Sequence, residues 1–228
     1  MFEFMTIREL YEIVMSGSHV EQDSMEYVQL QGWVRTNRCS GKLGFIELND
    51  GTYFRNAQLV YLQELKNFAE VEKYPTGAAI TVTGKFVLTP QGKQPFEIQV
   101  TEASLEGDCD RDYPLQKKRH SFEYLREIAH LRPRANSFYA IFRLSVLSMA
   151  IHEFFQDQGF VYVHTPIITG NDGEGAGEMF KATTRDDADY EQDFFGKEAF
   201  LTVTGQLHVE AFAMAFRDVY TFGPAFRA

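Results

Sequence analysis

The sequence is poor in the residues that build disulfide frameworks and metal clusters. Its 228 residues include only two cysteines, Cys39 and Cys109, which lie far apart in the chain. The sequence therefore suggests neither a disulfide scaffold nor a zinc site with paired cysteines, and a reducing cytoplasm is expected. The six histidines show no metal-ligand spacing, as the wide separation of His152 and His164 illustrates. The pattern itself predicts no metal site.

Long apolar runs and net positive charge are also missing. No apolar stretch reaches the roughly 20 residues that a membrane-spanning helix needs, and the first residues are polar and acidic, so neither membrane insertion nor secretion is expected. The net charge of −10 argues against a protein that coats nucleic acid indiscriminately. Residues 113 to 134 nevertheless carry six basic and two acidic side chains, a pattern that a solvated basic linker also explains.

Residues 27 to 105 show the alternation of short, half-buried strands, after one amphipathic helix near Ile7 to Val14. The predicted strands lie in the stretches Y27-V-Q-L-Q-G-W-V-R, F45-I-E-L-N, A57-Q-L-V-Y, A79-I-T-V-T-G-K-F-V-L and F96-E-I-Q-V-T. Five short strands favour a small barrel, and the OB-fold is the commonest such barrel that binds oligonucleotides. A barrel that binds lipid or sugar is the alternative.

The rest of the chain predicts a charged hinge and a second domain of mixed α and β structure. Apolar residues at helical spacing after Asn136 predict one long helix of about six turns that ends near Gly159. The next segment alternates as a strand and stops at Pro166, because proline occupies a strand only at its end or edge. Further strands are expected over 179–183, 199–203 and 219–222, with a helix over 206–215. The predicted domains are a barrel with its N-terminal helix over 1–106, a hinge over 107–134 and a second domain over 135–228.

Two motifs of the second domain resemble, in the correct order, those of the class II aminoacyl-tRNA synthetases. G159-F-V-Y-V-H-T-P resembles motif 1, whose proline lies at the dimer interface, which implies that role for Pro166 and a homodimer. F222-G-P-A-F-R resembles the first strand of motif 2, whose arginine binds the ATP α-phosphate and the amino-acid carboxylate, which implies both roles for Arg227. A guanidinium suits these roles because its planar fork pairs bidentately with phosphate or carboxylate. With the barrel in front, the resemblance implies the aspartyl, asparaginyl and lysyl subgroup, with its antiparallel-sheet catalytic domain.

Further stretches resemble the asparaginyl members of that subgroup: Y113-P-L-Q-K-K-R-H-S-F-E-Y-L-R, G173-E-G-A-G-E-M-F, F194-F-G-K-E-A-F-L and T204-G-Q-L-H-V-E. This resemblance covers essentially the whole chain. It implies a cytoplasmic ligase that uses ATP and Mg²⁺ to join L-asparagine to tRNA(Asn) through asparaginyl-adenylate. The sequence ends within motif 2, so the second ATP arginine and the metal carboxylates have no counterpart. We therefore expect that these 228 residues alone do not activate asparagine.

Two residues are candidates for holding the amino acid. Glu174 lies in the glycine-rich stretch G170-N-D-G-E-G-A-G, and the resemblance implies that it meets the substrate ammonium. An ordinary flexible surface loop is the alternative, whereas a phosphate-binding P-loop is excluded because no Gly-Lys-Ser/Thr follows. Gln206 matches a position that holds the bound amino acid in the family. Its alternative role is that of a solvent-facing residue at a helix N-terminus.

Selection of asparagine over aspartate has to rest on charge, because the two side chains have nearly the same shape. Aspartyl enzymes place a lysine where this sequence has Val209, and Glu210 follows. A carboxylate accepts hydrogen bonds from a carboxamide NH2 group. It repels an aspartate by about 4 kcal/mol at about 4 Å and an effective dielectric of about 20, or about a thousandfold. Glu210 is therefore the candidate for amide reading, with a helix-surface glutamate as the alternative.

Three barrel residues match the anticodon-reading positions of the subgroup. The resemblance implies that Phe45 stacks on the central uridine while Arg38 and Gln58 reach its edges. An aromatic ring contributes about 1–3 kcal/mol per stacked base, and contacts at the Watson–Crick edge then supply specificity. The alternative for Phe45 is a core side chain.

Two other functions stay open at this point. One is a second kind of enzyme, either an aspartyl enzyme or a synthetase paralogue that makes free amide amino acids. Val209 disfavours the first and the retained barrel disfavours the second. The other is a tRNA-binding module without catalytic activity, built on the barrel and the hinge.

Overall fold

The computed structural model describes residues 3–16, 27–141, 144–171, 173, 175, 178–187 and 189–228, in two compact units, Met1–Arg143 and Leu144–Ala228. The first unit contains β1 (Glu3–Phe4), α1 (Ile7–Met15), β2 (Tyr27–Ser40), β3 (Leu43–Asn49), β4 (Ala57–Leu62), α2 (Phe68–Val71), β5 (Ala79–Leu88), β6 (Phe96–Gly107), α3 (Phe122–Glu127), the 3-10 turn Arg132–Arg134 and α4 (Asn136–Ile141). The second unit contains α5 (Ser145–Asp157), β7 (Val161–Tyr162), β8 (Ile168–Thr169), the 3-10 turn Tyr190–Gln192, β9 (Phe200–Leu201), α6 (Gln206–Phe216) and β10 (Val219–Tyr220). None of the helices in the described ranges has the length and apolar character that crossing a membrane requires.

The predicted five-stranded barrel is confirmed. The sheet order is β1-β2-β3-β4-β6-β5, and β5 also pairs with β2, which closes the five long strands into a barrel. Within this sheet, the β1–β2 and β4–β6 pairs are parallel and the other described pairs are antiparallel. One face of each strand is apolar and buried, and these side chains fill the interior together with Tyr11 and Ile7 of α1. The alternation of the sequence therefore becomes an inner face and an outer face.

The helix α1 is fixed at its first turn. Thr6 Oγ1 accepts from the Glu9 backbone N–H at 3.2 Å, and Glu9 Oε2 accepts from the Thr6 N–H at 2.7 Å. These reciprocal bonds form a capping box. The bonds that the Glu9 carboxylate accepts from the Thr6 N–H and from the Thr6 hydroxyl hold the pKa of Glu9 below its usual value. Asp50, just after β3, accepts from the Ile7 N–H at 2.7 Å. The turn that follows β3 is thereby tied to α1.

A close packing contact fixes the strand that carries Phe45. Gly44 is buried, and a Cβ atom at this position would lie 1.9 Å from Cζ of Tyr61. The absence of a side chain allows the Tyr61 ring to pass and its hydroxyl to donate to Asn37 Oδ1 at 2.8 Å. The Asn37 amide in turn donates to the carbonyls of Val71 and Tyr74 at 2.7 and 3.2 Å. Burial raises the pKa of the Tyr61 hydroxyl.

The segment that follows the barrel packs against the barrel's outer face within the first unit. Arg35 donates to the carbonyl of Arg134 and, at 3.2 Å, to Asn136 Oδ1. The Tyr139 hydroxyl donates to the carbonyls of Gly51 and Tyr53 at 2.7 and 2.9 Å. Arg134, at the end of the predicted hinge, and Asn136 and Tyr139, at the start of the predicted second domain, therefore form hydrogen bonds to β2 and to the loop after β3.

The second unit has an aromatic centre and short strands. Phe155 stacks on Tyr220 with ring centroids 4.7 Å apart, and His152 Nδ1 is hydrogen bonded to the Tyr220 hydroxyl at 2.8 Å. Gly159 adopts a φ of 83°, in the left-handed region that favours glycine, just after α5, as predicted. β7 pairs in parallel with β10, and β8 pairs antiparallel with β9.

Several element bounds differ from those predicted. The single long helix after Asn136 is present as α4 and α5, on either side of residues 142 and 143, which lie outside the described residues. The strand expected to reach Pro166 covers only Val161–Tyr162, and that expected over 179–183 is a single bridge from Lys181 to Phe200. A strand is assigned only where its backbone pairs with a neighbouring strand. Alternation in the sequence does not show how far that pairing extends.

Candidate nucleic-acid and amino-acid sites

Arg38, Phe45 and Gln58 come together on the outer face of the barrel. Arg38 is opposite Phe45 in the β2–β3 ladder, and Gln58 lies on the neighbouring strand β4. With Cys39 and Ser40 they line a cavity of about 420 Å³, here called the Phe45 pocket. Phe45 is half-buried and lines this cavity, so part of its side chain stays accessible. The alternative that Phe45 is a core side chain is therefore wrong, whereas its role in base stacking stays a prediction.

Two further polar residues share this outer face. Glu47 is two residues beyond Phe45, on the same side of β3, and its partners across the ladder are Thr36 and Gln58. Glu47 Oε2 accepts from Asn56 Nδ2 at 3.3 Å. Thr36 is only 9% exposed, and its hydroxyl has no hydrogen-bond partner in the part of the chain that the structure describes.

A larger cleft begins beside Glu47, and it is here called the hinge cleft. It has a volume of about 1140 Å³ and lies between the outer face of β2 and β3 and the segment from Tyr113 to Tyr139. Five basic and two acidic side chains line it: Arg35, Lys117, Lys118, Arg119, Arg134, Glu47 and Glu123. This local positive charge, in a chain with a net charge of −10, suits a polyanion.

The barrel side of the hinge cleft is partly aromatic and carries two guanidinium groups. The Arg134 guanidinium lies 5.3 Å from the centroid of the Trp33 ring, and Trp33 is 40% exposed. Burial lowers the pKa of the Arg35 guanidinium, which nevertheless stays charged at neutral pH. A β-bulge between Val34 and Thr36 explains this placement, because the extra residue turns Arg35 out of the ladder toward the hinge segment.

In the second unit, Gln206 and Glu210 lie one helical turn apart at the start of α6. Gln206 Nε2 donates to Glu210 Oε1 at 3.2 Å, and both side chains are exposed. A carboxylate has about four lone-pair sites, so Glu210 retains accepting capacity beside this bond. The backbone before Gln206 is tightly packed, since a Cβ atom at Gly205 would come 2.5 Å from Thr165 Oγ1. Val209 is half-buried and presents no cation.

The backbone around Arg227 is fixed by hydrogen bonds of its two neighbours, Phe226 and Ala228. The Phe226 N–H donates to the Thr202 carbonyl at 2.9 Å, and the Ala228 N–H donates to the Glu178 carbonyl at 3.0 Å. Within the described ranges, the Arg227 guanidinium makes no hydrogen bond or ion pair. It is exposed and therefore available to an anionic ligand.

The structure gives less detail on the other two predicted site residues, Glu174 and Pro166. Glu174 lies outside the described residues. Its neighbour Gly173 is buried, and a Cβ atom there would come 2.6 Å from Thr204 Cγ2, so this part of the loop approaches the start of α6. Pro166 is exposed between β7 and β8, on a surface that an interface can use.

The described residues do not fit a magnesium site. Among them, no three His, Cys, Asp or Glu side chains converge to hold a metal ion. Mg²⁺ prefers octahedral oxygen ligands, usually carboxylates together with substrate phosphates.

The sequence argument missed Glu47, Thr36 and the hinge cleft. Glu47 was predictable, because alternation from Phe45 places it on the same face. Thr36 was not, because alternation from the buried Val34 places it inside the barrel, and the β-bulge between them turns it outward. The cleft was not, because it depends on the contact of Arg35 with Arg134, which is remote in sequence.

Two family models match the two parts of the chain. The model described as an OB-fold nucleic acid binding domain matches residues 28–106, and the model described as tRNA synthetases class II (D, K and N) matches residues 121–228. D, K and N stand for aspartate, lysine and asparagine.

Comparisons with individual relatives agree with these family matches. The chain is 55% identical over 237 residues to an asparagine--tRNA ligase of Clostridium novyi, with 99% of this chain and 50% of the relative covered. It is 59% identical over 212 residues to that of Clostridium botulinum, with 88% and 46% covered. The solved asparaginyl-tRNA synthetase of Pyrococcus horikoshii, complexed with asparaginyl-adenylate, is 26% identical, with a TM-score of 0.74 over 89% of this chain and 45% of that one. The chain thus spans about half the length of the relatives it matches. It belongs to the class II tRNA synthetases of the aspartate, lysine and asparagine group, with an OB-fold nucleic-acid-binding domain in its first unit.

Proposed function

We propose that this chain provides the tRNA-reading part and a portion of the amino-acid site of an asparagine–tRNA ligase, which uses ATP to attach L-asparagine to tRNA(Asn). The observation that carries the proposal is the convergence of Arg38, Phe45 and Gln58 in one pocket on the outer face of the barrel. The pairing register of β2, β3 and β4 brings these three side chains together. This observation is independent of the family resemblance by which the residues were chosen. Identity of 55–59% to asparagine–tRNA ligases supports the choice of amino acid.

The Phe45 pocket suits an unpaired base. One face of Phe45 supplies a stacking surface, while the Arg38 guanidinium and the Gln58 amide offer donors and an acceptor to the base edges. The hydrogen bond from Tyr61 to Asn37 joins β4 to β2, two of the strands that carry the pocket residues. The pocket side chains therefore lose little conformational freedom when RNA binds. The proposed ligand is the central anticodon uridine.

The Gln206–Glu210 pair suits the asparagine side chain. The carboxylate of Glu210 accepts from the substrate carboxamide, and the 3.2 Å bond from Gln206 keeps that carboxylate oriented. An aspartate in the same position would set two negative charges together. We propose that Glu174 meets the substrate ammonium, although it lies outside the described residues.

Arg227 suits the anionic groups of the reaction. In the proposed chemistry, a carboxylate oxygen of asparagine attacks the α-phosphorus of ATP and pyrophosphate leaves. The terminal ribose hydroxyl of the tRNA then attacks the carbonyl carbon, and AMP leaves. The unpaired guanidinium of Arg227 stabilises the charge on the α-phosphate and positions the substrate carboxylate. Catalysis of this kind depends on positioning and electrostatics and needs no protein nucleophile.

We further propose a homodimer and a cytoplasmic location. Pro166 is exposed, and α5 presents exposed apolar side chains such as Val146, at 74%, and Met149, at 58%. Such a surface is suited to burial in an interface. Cys39 and Cys109 are both free thiols, which fits a reducing compartment.

The test of RNA reading is the affinity of the chain for a tRNA(Asn) transcript. Phe45→Ala is expected to weaken binding by about 5- to 150-fold, because about 1–3 kcal/mol of stacking is lost. Phe54→Ala is the matched control, since Phe54 is an exposed aromatic residue outside the pocket. Equal affinities of the Phe45 and Phe54 variants would refute the anticodon assignment.

The test of the amino acid is pyrophosphate exchange on a form with the full length of the relatives. Asparagine is expected to support exchange, and aspartate is not. Glu210→Gln is expected to reduce the ratio of the exchange rate with asparagine to that with aspartate. Preferential exchange with aspartate would overturn the proposal. A tRNA-binding module without catalysis is the alternative function, and it predicts tRNA binding without exchange in the same form.

A further inference from the structure

We propose that Tyr139 is a positioning residue for the transfer of asparagine to tRNA. Its hydroxyl fastens α4 to the loop between β3 and β4, and this contact fixes the point at which the chain leaves the first unit. The inference deepens the proposed function and rests on it, because it concerns a tRNA that is already bound at the Phe45 pocket. It gives Tyr139 no part in reading a base.

The contact of Tyr139 joins a helix to a loop that is remote in sequence. The Tyr139 hydroxyl donates to the Gly51 carbonyl at 2.7 Å and to the Tyr53 carbonyl at 2.9 Å. A phenolic hydroxyl has a single proton, so the two carbonyls share it and both have to keep their directions for the contact to form. A second attachment lies at the first residue of α4, where Asn136 Oδ1 accepts from Arg35 at 3.2 Å.

The loop that receives Tyr139 is held in one conformation by two asparagine amides. Asn49 Nδ2 donates to the Tyr53 carbonyl at 3.4 Å and to Asn56 Oδ1 at 3.1 Å. Asn49 Oδ1 accepts from the Gly51 N–H at 3.1 Å. Asn56 Nδ2 donates in turn to Glu47 Oε2 at 3.3 Å. Each amide uses both its donor end and its acceptor end, so turning either amide over breaks bonds at both ends at once.

The same loop is anchored to the N-terminal helix and joins two strands of the Phe45 pocket. The Tyr11 hydroxyl of α1 donates to the Asn56 carbonyl at 3.0 Å. The loop runs from β3, which carries Phe45, to β4, which carries Gln58. The Tyr139 hydroxyl therefore ties α4 to the strands that hold the proposed anticodon base.

The place of α4 in the chain gives this contact its consequence for the reaction. Helix α4 ends at Ile141, and the second unit begins at Leu144. During transfer, one tRNA has to occupy the Phe45 pocket while its terminal ribose meets the adenylate, whereas formation of the adenylate needs no tRNA at that pocket. A fixed α4 reduces the conformational freedom that the complex with tRNA has to lose before transfer. Tyr139 is therefore expected to act on transfer and not on adenylate formation.

The experiment compares three measurements on Tyr139→Phe, which loses the hydroxyl and keeps the ring. On a form with the full length of the relatives, pyrophosphate exchange without tRNA measures adenylate formation. Single-turnover transfer from the preformed adenylate to saturating tRNA(Asn) measures the second step. Fluorescence anisotropy measures the affinity of the 228-residue chain for an anticodon stem-loop, which lacks the terminal ribose. Tyr124→Phe is the matched control, because the Tyr124 hydroxyl makes no hydrogen bond within the described ranges.

Tyr139→Phe is expected to lower the ratio of the transfer rate to the exchange rate about fivefold, because the hydrogen bonds that hold α4 are lost. The stem-loop affinity is expected to change by less than about twofold. Tyr124→Phe is expected to leave all three measurements at their wild-type values. Asn49→Ala loosens the same loop and is expected to lower the same ratio. Since both changes act through the Tyr53 carbonyl, the double variant is expected to show less than the product of the two separate effects.

Three results would overturn the inference. The first is a ratio of transfer to exchange in Tyr139→Phe equal to that in Tyr124→Phe. The second is an equal fall of transfer, exchange and stem-loop affinity, which indicates a role in folding alone. The third is a loss of stem-loop affinity as large as the loss of transfer rate, which indicates a direct contact with RNA.

Phe45→Ala separates this inference from the proposed function. If Phe45→Ala weakens stem-loop binding while Tyr139→Phe leaves the ratio of transfer to exchange unchanged, only the role of Tyr139 fails. If Phe45→Ala has no effect, or if the wild-type form of full length neither exchanges pyrophosphate nor transfers asparagine, the proposed function fails and the inference fails with it.

Discussion

The packing of Gly44 against Tyr61 predicts a large stability loss from a small substitution. In Gly44→Ala the new Cβ atom would lie 1.9 Å from Cζ of Tyr61, and both residues are fully or almost fully buried. The tyrosine ring has to move, and overpacking of this kind costs about 1–3 kcal/mol. Movement also breaks the hydrogen bond from the Tyr61 hydroxyl to Asn37, which adds about 1 kcal/mol. We expect a total loss of about 2–4 kcal/mol in the free energy of unfolding.

The assay is urea unfolding followed by tryptophan fluorescence. The chain has one tryptophan, Trp33, which lies on β2 of the barrel, so the signal reports the barrel alone. Gly107→Ala is the matched control, because a Cβ atom there would meet only Ala79 Cβ at an ordinary 3.7 Å. It is expected to change stability by less than about 1 kcal/mol.

Equal unfolding free energies for the Gly44 and Gly107 variants would refute the packing argument. A double-mutant cycle tests the cause, since Tyr61→Leu removes the ring that the new methyl group meets. Gly44→Ala is then expected to cost less in the Tyr61→Leu background than in the wild-type chain. An undiminished cost would show that the strain arises from the strand backbone and not from the ring.

Two further predictions concern the N-terminal helix and the acid side of the pH profile. Thr6→Ala removes the capping box with Glu9 and is expected to lower the unfolding free energy by about 0.5–2 kcal/mol, whereas Thr6→Ser keeps the acceptor and is expected to retain most of it. Hydrogen bonds from the hydroxyls of Thr183 and Thr184 hold the pKa of Asp193 below its usual value. A lowered folded-state pKa contributes stability above the unfolded pKa of about 3.9, and that contribution is lost as the pH falls further. Asp193→Asn is therefore expected to flatten the fall of melting temperature below about pH 4, and an unchanged slope would contradict the assignment.

The barrel and the Phe45 pocket were predictable because their pattern is local. Strand alternation places Phe45 and Gln58 on the outer face. Arg38 shares the parity of the buried Val34 and reaches the outer face only because of the β-bulge between Val34 and Thr36, which alternation does not reveal. The positions of Gly44 and Tyr61 were not predictable, since their contact depends on the β3–β4 register. That register is set by packing across the barrel and not by any one strand.

The second unit was less predictable for a different reason. Its strands pair over two residues each, so a period of two in the sequence overestimates their length. The helical spacing of Gln206 and Glu210 was sufficient to place them on one face, and their hydrogen bond follows from it. The approach of Gly173 to Thr204 depends on loop conformation, for which sequence offers only the glycine content.

The two functions proposed for this chain differ in how far their residues are preorganised. The Phe45 pocket is built on five strands that close on one another, and its supporting side chains are buried within the barrel. Gln206 and Glu210 instead lie on α6, which has no buried residue and exposes Met214 at 91% and Phe216 at 54%. A site needs rigid support to bind tightly, because any ordering of side chains is subtracted from the binding free energy. RNA binding by the first unit should therefore depend little on what packs against α6, whereas asparagine binding should strengthen whenever that apolar surface is covered.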